Sequence, residues 1–177
     1  MISKISDEVY CLEGKTFGSK VYLVNKKILI DTSSEANRGE LLNDLKKLGL
    51  KLDDIKYILL THMHFDHSGN LELFKNAKIF ADINEIKAKK QELKERKIKI
   101  YSIPKTIDGI KVIKAYGHTA GSLCFLYKNI LFSGDTIFDK DFTLIGRTDL
   151  PNSKPELMPK TLEKLKKVEF DILCPGH

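Results

Sequence analysis

Three of the five histidines of this chain and one aspartate lie within the six positions 62–67. The apolar run at 57–60 directly precedes this cluster and predicts a buried strand. Turn residues follow the cluster, and the apolar residues at 71–74 then predict a short helix. The cluster therefore lies where a strand ends and a helix begins, which is the position at which open α/β sheets bind their ligands.

The spacing within the cluster indicates metal binding. His62 and His64 are two residues apart, so in an extended chain their imidazoles point to the same side and can bind one cation. Asp66 and His67 follow in the turn and face another direction, which suits a second cation. Imidazole and carboxylate together favour Zn²⁺, Fe or Mn over Ca²⁺ or Mg²⁺. The alternative is a polar loop whose histidines only cap a helix, and it leaves this crowding of ligands unexplained.

Four ligands do not fill two metal sites, so other parts of the chain should supply more. His118, Asp135 and His177 each follow an apolar, strand-like run and lie beside a glycine. Glycine lets the backbone approach a site closely. With these three residues, every histidine of the chain is assigned to the candidate site.

Four motifs occur in a fixed order along the chain: Thr-His-Met-His-Phe-Asp-His, Gly-His-Thr, Ser-Gly-Asp-Thr and Pro-Gly-His. Their order resembles that of the metallo-β-lactamase-fold hydrolase superfamily. The stretch Gly-Arg-Thr-Asp-Leu-Pro at 146–151 resembles the small glyoxalase II-like branch. The resemblance implies an α/β (α+β) fold, a four-layer αβ/βα sandwich of the metallo-β-lactamase type. It also implies one hydrolase domain over residues 1–177, without the C-terminal helical extension of glyoxalase II enzymes.

The resemblance further implies a site with two divalent metal ions, with Zn²⁺ as the first choice and Fe or Mn as alternatives. The implied ligands of the first metal are His62, His64 and His118; those of the second are Asp66, His67 and His177; and Asp135 bridges both. Asp31 ends a strand-like run, and we expect it to orient a histidine or to cap a helix.

Two such cations about 3.5–4 Å apart can share one hydroxide at neutral pH. Asp66 is the candidate catalytic residue, since it can hydrogen-bond this hydroxide and collect its proton.

The glyoxalase II-like motif implies a small-molecule thioester or related ester as substrate. The first alternative is a persulfide dioxygenase with a single iron, and the second is a metal-dependent ribonuclease. Arg147 and Asp149 are either an ion pair under the site or substrate contacts.

The net charge of +6 fits either an anionic partner or simple solubility, and we favour solubility. Nucleic acid is not an expected partner, because no insertion is long enough to bind RNA. No run reaches the roughly 20 apolar residues that span a bilayer, so no membrane partner is expected. The three separated cysteines suit a reducing, cytoplasmic compartment.

The lysine-rich stretch 83–99 predicts a solvated helix face with pairs such as Glu85–Lys89 rather than a substrate-attracting rim.

Short apolar runs predict strands at 9–12, 21–24 and 28–30, with a hairpin turn at 25–27. Leucines at helical spacing predict a helix that stops at Gly49, and Pro155 opens a last helix. Further strands are predicted at 77–81, 110–116, 122–127, 129–132 and 170–174.

Overall fold

Twelve short strands form two sheets in the computed structural model, which describes all 177 residues. The first sheet follows the chain order and contains β1 (Ile2–Lys4), β2 (Val9–Leu12), β3 (Val21–Val24), β4 (Ile28–Ile30), β5 (Tyr57–Leu59), β6 (Lys78–Ala81) and β7 (Ile100–Ser102). The second sheet contains β8 (Thr106–Ile107), β9 (Ile110–Lys114), β10 (Leu123–Tyr127), β11 (Ile130–Gly134) and β12 (Ile172–Pro175). Its order across the sheet is β12, β11, β10, β9, β8.

Five helices accompany the sheets: α1 (Arg38–Lys47), α2 (Phe65–Ser68), α3 (Ile83–Ala88), α4 (Lys90–Glu95) and α5 (Met158–Leu165). Single 3₁₀ turns occupy Glu35–Asn37, Leu52–Asp54, Leu71–Leu73 and Pro155–Leu157. No helix combines the length and the apolar character needed to cross a membrane.

Three apolar clusters show how the layers stack. Leu41 and Leu45 of α1 pack on the outer face of the first sheet. Phe125 and Phe132 fill the space between the two sheets. Leu165 of α5 packs on the outer face of the second sheet. The resulting order of helix, sheet, sheet and helix confirms the expected αβ/βα sandwich.

The parallel strand pairs of both sheets position the candidate site. In the first sheet β5 lies between β4 and β6 and runs parallel to both, so the histidine cluster follows its carboxyl end. In the second sheet β11 and β12 are parallel, and they deliver Asp135 and His177 at their carboxyl ends. Because the sheets face each other, the three strand ends meet at one edge of the sandwich.

Most predicted elements are present, with shifted ends. The strands β2, β3 and β4 have the predicted bounds, and Asn25 and Lys26 form the hairpin turn between the last two with positive φ. The helix predicted at 71–74 is a single 3₁₀ turn at Leu71–Leu73. An unpredicted short helix, α2, begins at Phe65 within the cluster, so Asp66 and His67 lie on its first turn. No sequence pattern predicts β1, β7 or β8, which are short edge strands with few apolar residues.

Candidate metal centre

The first group of candidate ligands converges on one point. Nε2 of His62 lies 3.0 Å from Nδ1 of His64, and Nε2 of His118 lies 3.1 Å from the same atom. Burial lowers the pKa of His62 and His118 and lowers that of His64 to about 4. The three imidazoles are therefore neutral at pH 7, which is the form that binds a metal ion.

Hydrogen bonds fix which nitrogen of two of these rings is free. Nδ1 of His118 lies 2.7 Å from the carbonyl oxygen of Arg147, which only accepts, so Nδ1 carries the proton and Nε2 is free. The hydroxyl of Thr61 donates to Asp31, so it accepts from Nδ1 of His62 at 3.1 Å. In both rings the free Nε2 is the atom that faces the shared point.

The second group lies beside the first. Nε2 of His177 is 3.3 Å from Oδ2 of Asp66, and Nε2 of His67 is 3.2 Å from Oδ1 of Asp135. Oδ2 of Asp135 lies 3.6 Å from Nε2 of His118 and equally far from Nε2 of His177. The Asp135 carboxylate thus stands between the two groups of ligands.

Two buried polar atoms test whether a cation fits here. Nε2 of His67 and Oδ1 of Asp135 have no hydrogen-bond partner, although both are buried and they face each other. A buried polar group without a partner is destabilising, and a metal ion would satisfy both atoms. The donor set of imidazole nitrogen and carboxylate oxygen is the one that zinc, iron and manganese bind.

Acidic side chains dominate the electrostatics of the second group. Burial lowers the pKa of His67, but Asp31 and Asp135 outweigh it and raise the pKa to about 10. Hydrogen bonds with Asp135 and Asp66 raise the pKa of His177 to about 9. The same carboxylates that hold these protons would attract a metal cation.

Asp31 is placed to orient His67, as one of the two sequence interpretations predicts. Its Oδ2 lies 2.8 Å from Nδ1 of His67, and its two oxygens also accept from the backbone and the hydroxyl of Thr61. Asp31 itself has a left-handed φ of 59° and is buried. The carboxylate accepts the hydrogen bond from Nδ1, so Nε2 is the nitrogen that faces the site and would bind a metal ion once its proton is displaced.

Two glycines make room for these groups. A Cβ on Gly176 would lie 2.2 Å from Oδ1 of Asp135 and 2.8 Å from Cε1 of His67. A Cβ on Gly146 would lie 1.7 Å from the carbonyl oxygen of Asp135. Any side chain at these positions would therefore displace a candidate ligand.

Backbone hydrogen bonds hold the segment before His177 in place. The amide of Lys20 donates to the carbonyl of Gly176 at 2.7 Å, and the amide of Gly176 donates to the carbonyl of Gly134 at 2.8 Å. The Tyr22 hydroxyl donates to the carbonyl of Pro175 at 2.7 Å. His177 is thus positioned by the protein itself, and its ring, about one third exposed, points its Nε2 into the site.

Sequence reasoning missed Glu85, which is buried at 5% exposure. Its Oε2 accepts from the amide of Met63 at 2.8 Å, between two candidate ligands. The predicted Glu85–Lys89 pair is therefore wrong, and Lys89 pairs with Glu92 instead. Glu85 lies 18 residues after His67 in the sequence, so no local pattern connects it with the histidine motif.

A cleft of roughly 640 Å³ opens over the candidate ligands His64, Asp66, His118, Asp135 and His177. Its walls are largely apolar, and Phe17 and Phe65 are unusually exposed there, at 67% and 69%. Their ring centroids lie 5.9 Å apart, and Phe17 stacks on His177.

Charged residues lie at the rim of this cleft. Lys89 and Arg147 both line it. The Arg147–Asp149 ion pair is exposed, so it does not lie under the site as one interpretation had it.

Comparisons with known proteins agree with this geometry. The sequence model of the metallo-beta-lactamase superfamily matches residues 14–112 and 89–177. A probable metallo-hydrolase, MJ0888 of Methanocaldococcus jannaschii, is 31% identical over 94% of this chain and 90% of its own. An N-acyl homoserine lactonase of Bacillus thuringiensis is 25% identical over 77% of this chain and 61% of its own. The crystal structure of TTHA1623 in a di-iron-bound form is similar in fold, with a TM-score of 0.75, 24% identity, and coverage of 93% of this chain and 91% of that one.

Proposed function

The chain belongs to the metallo-beta-lactamase superfamily and is a metal-dependent hydrolase. We propose that it cleaves a thioester or a related ester with the help of two divalent metal ions. The observation that carries the proposal is the position of Asp135. Its carboxylate lies within 3.6 Å of a histidine from each ligand group, so it suits a bridge between two ions.

The proposed ligands follow the two groups. His62, His64 and His118 would hold the first ion, and Asp66, His67 and His177 the second. Zinc is our first choice, because nitrogen-rich sites with carboxylates favour it. Iron is the main alternative, since the similar structure of TTHA1623 holds two iron ions.

When bound, a pair of such ions lowers the pKa of a shared water toward about 7 and polarises a carbonyl group. The chain's own residues then have three tasks. Asp66 would accept a proton, because its carboxylate lines the cleft and its Oδ2 lies 3.3 Å from Nε2 of His177. Asp31 keeps the Nδ1 proton of His67 in place. Phe17 and Phe65 exclude water from one side of the cleft.

The substrate class rests on the cleft and on a motif. The apolar walls suit the acyl portion of an ester. Lys89 and Arg147 are paired with Glu92 and Asp149 but line the cleft, so a carboxylate elsewhere on the same molecule would compete with those solvent-exposed partners. The 146–151 stretch, which resembles the glyoxalase II-like branch, contributes the Arg147 carbonyl that orients His118. The lactonase among the relatives is named for acting on a cyclic ester, which is a related bond. We therefore propose a small acyl thioester, with a carboxylate-bearing thiol, as the first substrate to test.

The decisive experiment combines elemental analysis with a substrate screen. Protein purified without added metal should contain two ions per chain, and zinc-loaded protein should hydrolyse S-lactoylglutathione or simpler acyl thioesters. Asp135→Asn and His118→Ala should each lower kcat by orders of magnitude, as the loss of essential metal ligands does. One tightly held iron with oxygen uptake on a glutathione persulfide would replace this proposal with the dioxygenase. Cleavage of RNA with all thioesters untouched would replace it with the ribonuclease.

A further inference from the structure

A second groove of roughly 560 Å³ lies at the opposite end of the first sheet. The strands β5, β6 and β7 are parallel, and the candidate metal ligands follow the carboxyl end of β5. The groove is lined by Lys78 at the start of β6 and by residues 96–99 just before β7. It therefore has no residue in common with the cleft over the metal centre.

The rim of this groove is strongly basic. Five cationic side chains and a single acidic one line it: Lys75, Lys78, Arg96, Lys97, Lys99 and Glu72. Arg96 is neutralised by ion pairs with Glu72 and Glu92. None of the four lysines has a carboxylate within ion-pair distance. Four unpaired positive charges around one concavity repel each other, and a bound polyanion would relieve that repulsion.

The floor of the groove is apolar and ends at an aromatic ring. Phe74 and Ile79 are buried below it, while Tyr101 is 38% exposed at one side. Nζ of Lys99 lies 4.9 Å from the centre of the Tyr101 ring, so charge and ring stand next to each other. A planar group would stack on this ring in place of the Lys99 ammonium group, which would turn toward the charged portion of the ligand.

Part of the rim is held in a fixed conformation. Nε of Arg96 donates to Glu72 at 2.6 Å, and its Nη2 donates to the carbonyl of Ser68 at 3.3 Å. The next residue, Lys97, has a left-handed φ of 55°, which turns the chain from α4 toward β7. The backbone before Lys97 is thus anchored to residues 68–72, and β7 after Lys99 pairs with β6, which begins at Lys78.

Two simpler explanations account for only part of this pattern. Lysines on an edge strand prevent sheets from pairing with each other, but only Lys99 adjoins the edge strand β7. Solubility favours charges of both signs spread over the surface, whereas this rim gathers lysines without partners.

We propose that the groove binds an organic phosphate of the nucleotide type, with its planar ring on Tyr101 and its phosphates between Lys75, Lys78, Lys97 and Lys99.

Calorimetric titration of the metal-loaded protein with ADP and with inorganic pyrophosphate tests the proposal. Lys97→Glu with Lys99→Glu should weaken ADP binding by about tenfold or more, because two attractive contacts become repulsive. Lys160→Glu with Lys167→Glu on and beside α5 makes the same change of net charge far from the groove, and should leave ADP binding nearly unchanged. Tyr101→Ser should weaken ADP binding and leave pyrophosphate binding intact.

The outcomes separate the alternatives. Equal losses in the two double variants would show that only the overall charge attracts ADP, and would overturn the proposal. No binding of ADP or pyrophosphate at low salt would also overturn it. Binding of single-stranded RNA in preference to ADP, lost in Lys97→Glu with Lys99→Glu, would assign the groove to nucleic acid instead. All of these measurements are of binding and need no hydrolytic activity, so their outcome does not depend on whether the protein hydrolyses esters.

Discussion

His67 donates its Nδ1 proton to Asp31, and the two side chains lie 2.8 Å apart in a part of the protein from which water is excluded. Asp31 also accepts two hydrogen bonds from Thr61, the residue that precedes the first candidate ligand. One carboxylate therefore ties the strand end of β4 to the loop after β5. The position of the candidate ligand His67 therefore depends on this carboxylate.

Replacing Asp31 should damage both stability and metal binding. Asp31→Ala leaves the Thr61 amide and Nδ1 of His67 without partners, and breaking such a buried pair costs about 3–5 kcal/mol. Asp31→Asn keeps one acceptor and tolerates the left-handed backbone, so its loss should be smaller. Urea unfolding of metal-free protein measures the difference. Asp44→Asn, at a buried aspartate outside the site, is the control, and an equal loss there would contradict a special role for Asp31.

Gly176→Ala should reduce binding of the second ion while the fold persists. The added Cβ would lie 2.2 Å from Oδ1 of Asp135 and 2.8 Å from Cε1 of His67, so it would displace the proposed bridge and a proposed ligand of the second ion. Gly39→Ala is the matched control, since nothing lies within 4 Å of its Cβ and helical alanine is favoured by about 0.5–1 kcal/mol. Zinc titration and thermal unfolding check both variants. Unchanged zinc binding in Gly176→Ala would show that Asp135 is not held where the structure has it.

His177→Ala should lower the zinc content from two ions to one. The first ion keeps His62, His64 and His118, and the backbone bond from Lys20 to Gly176 is retained in this variant. Titration of metal-free protein, followed by calorimetry, should show one site lost and the other nearly unaffected. If two equal sites remain, His177 is not a ligand and the second ion needs another donor.

Glu85→Ala should weaken the first ion selectively, because the amide of Met63 loses its acceptor and the loop between His62 and His64 loosens. Glu85→Gln retains an acceptor oxygen and should be close to the natural protein. The ratio of zinc affinities in the two variants measures the effect. Similar affinities in both would mean that Glu85 only fills space.

Lys89→Glu should raise KM for a carboxylate-bearing thioester several-fold, since Lys89 lines the cleft beside His64. Lys90→Glu and Lys94→Glu change the same charge on exposed positions outside the cleft, so they should have little effect. Steady-state kinetics at low and high salt distinguishes the variants. Equal KM changes in all three would indicate general attraction by the basic surface.

Sequence reasoning could find the candidate ligands and one of their supports, Asp31, but not the other supporting residues. His62, His64, Asp66 and His67 are close in the chain, so spacing alone brings them together, and strand ends bring His118, Asp135 and His177 to the same edge. Glu85 and Lys89 reach the site only through the packing of α3 against the loop after β5, which no local pattern encodes. The lysine-rich stretch was expected to be one solvated face. It divides instead, with Lys89 at the metal cleft and Lys97 and Lys99 at the second groove.

The order in which the site is completed follows from its split between the two sheets. During synthesis, Asp66 and His67 emerge with β5, while the partners that they need arrive only with β11 and β12. The first ligand group, at His62 and His64, is completed by His118, which precedes both of those strands in the chain. If the proposed ligand sets are right, the first set can be complete before β11 and β12 have paired, whereas the second set needs both strands in place. Occupancy of the second position would then report that β11 and β12 have docked.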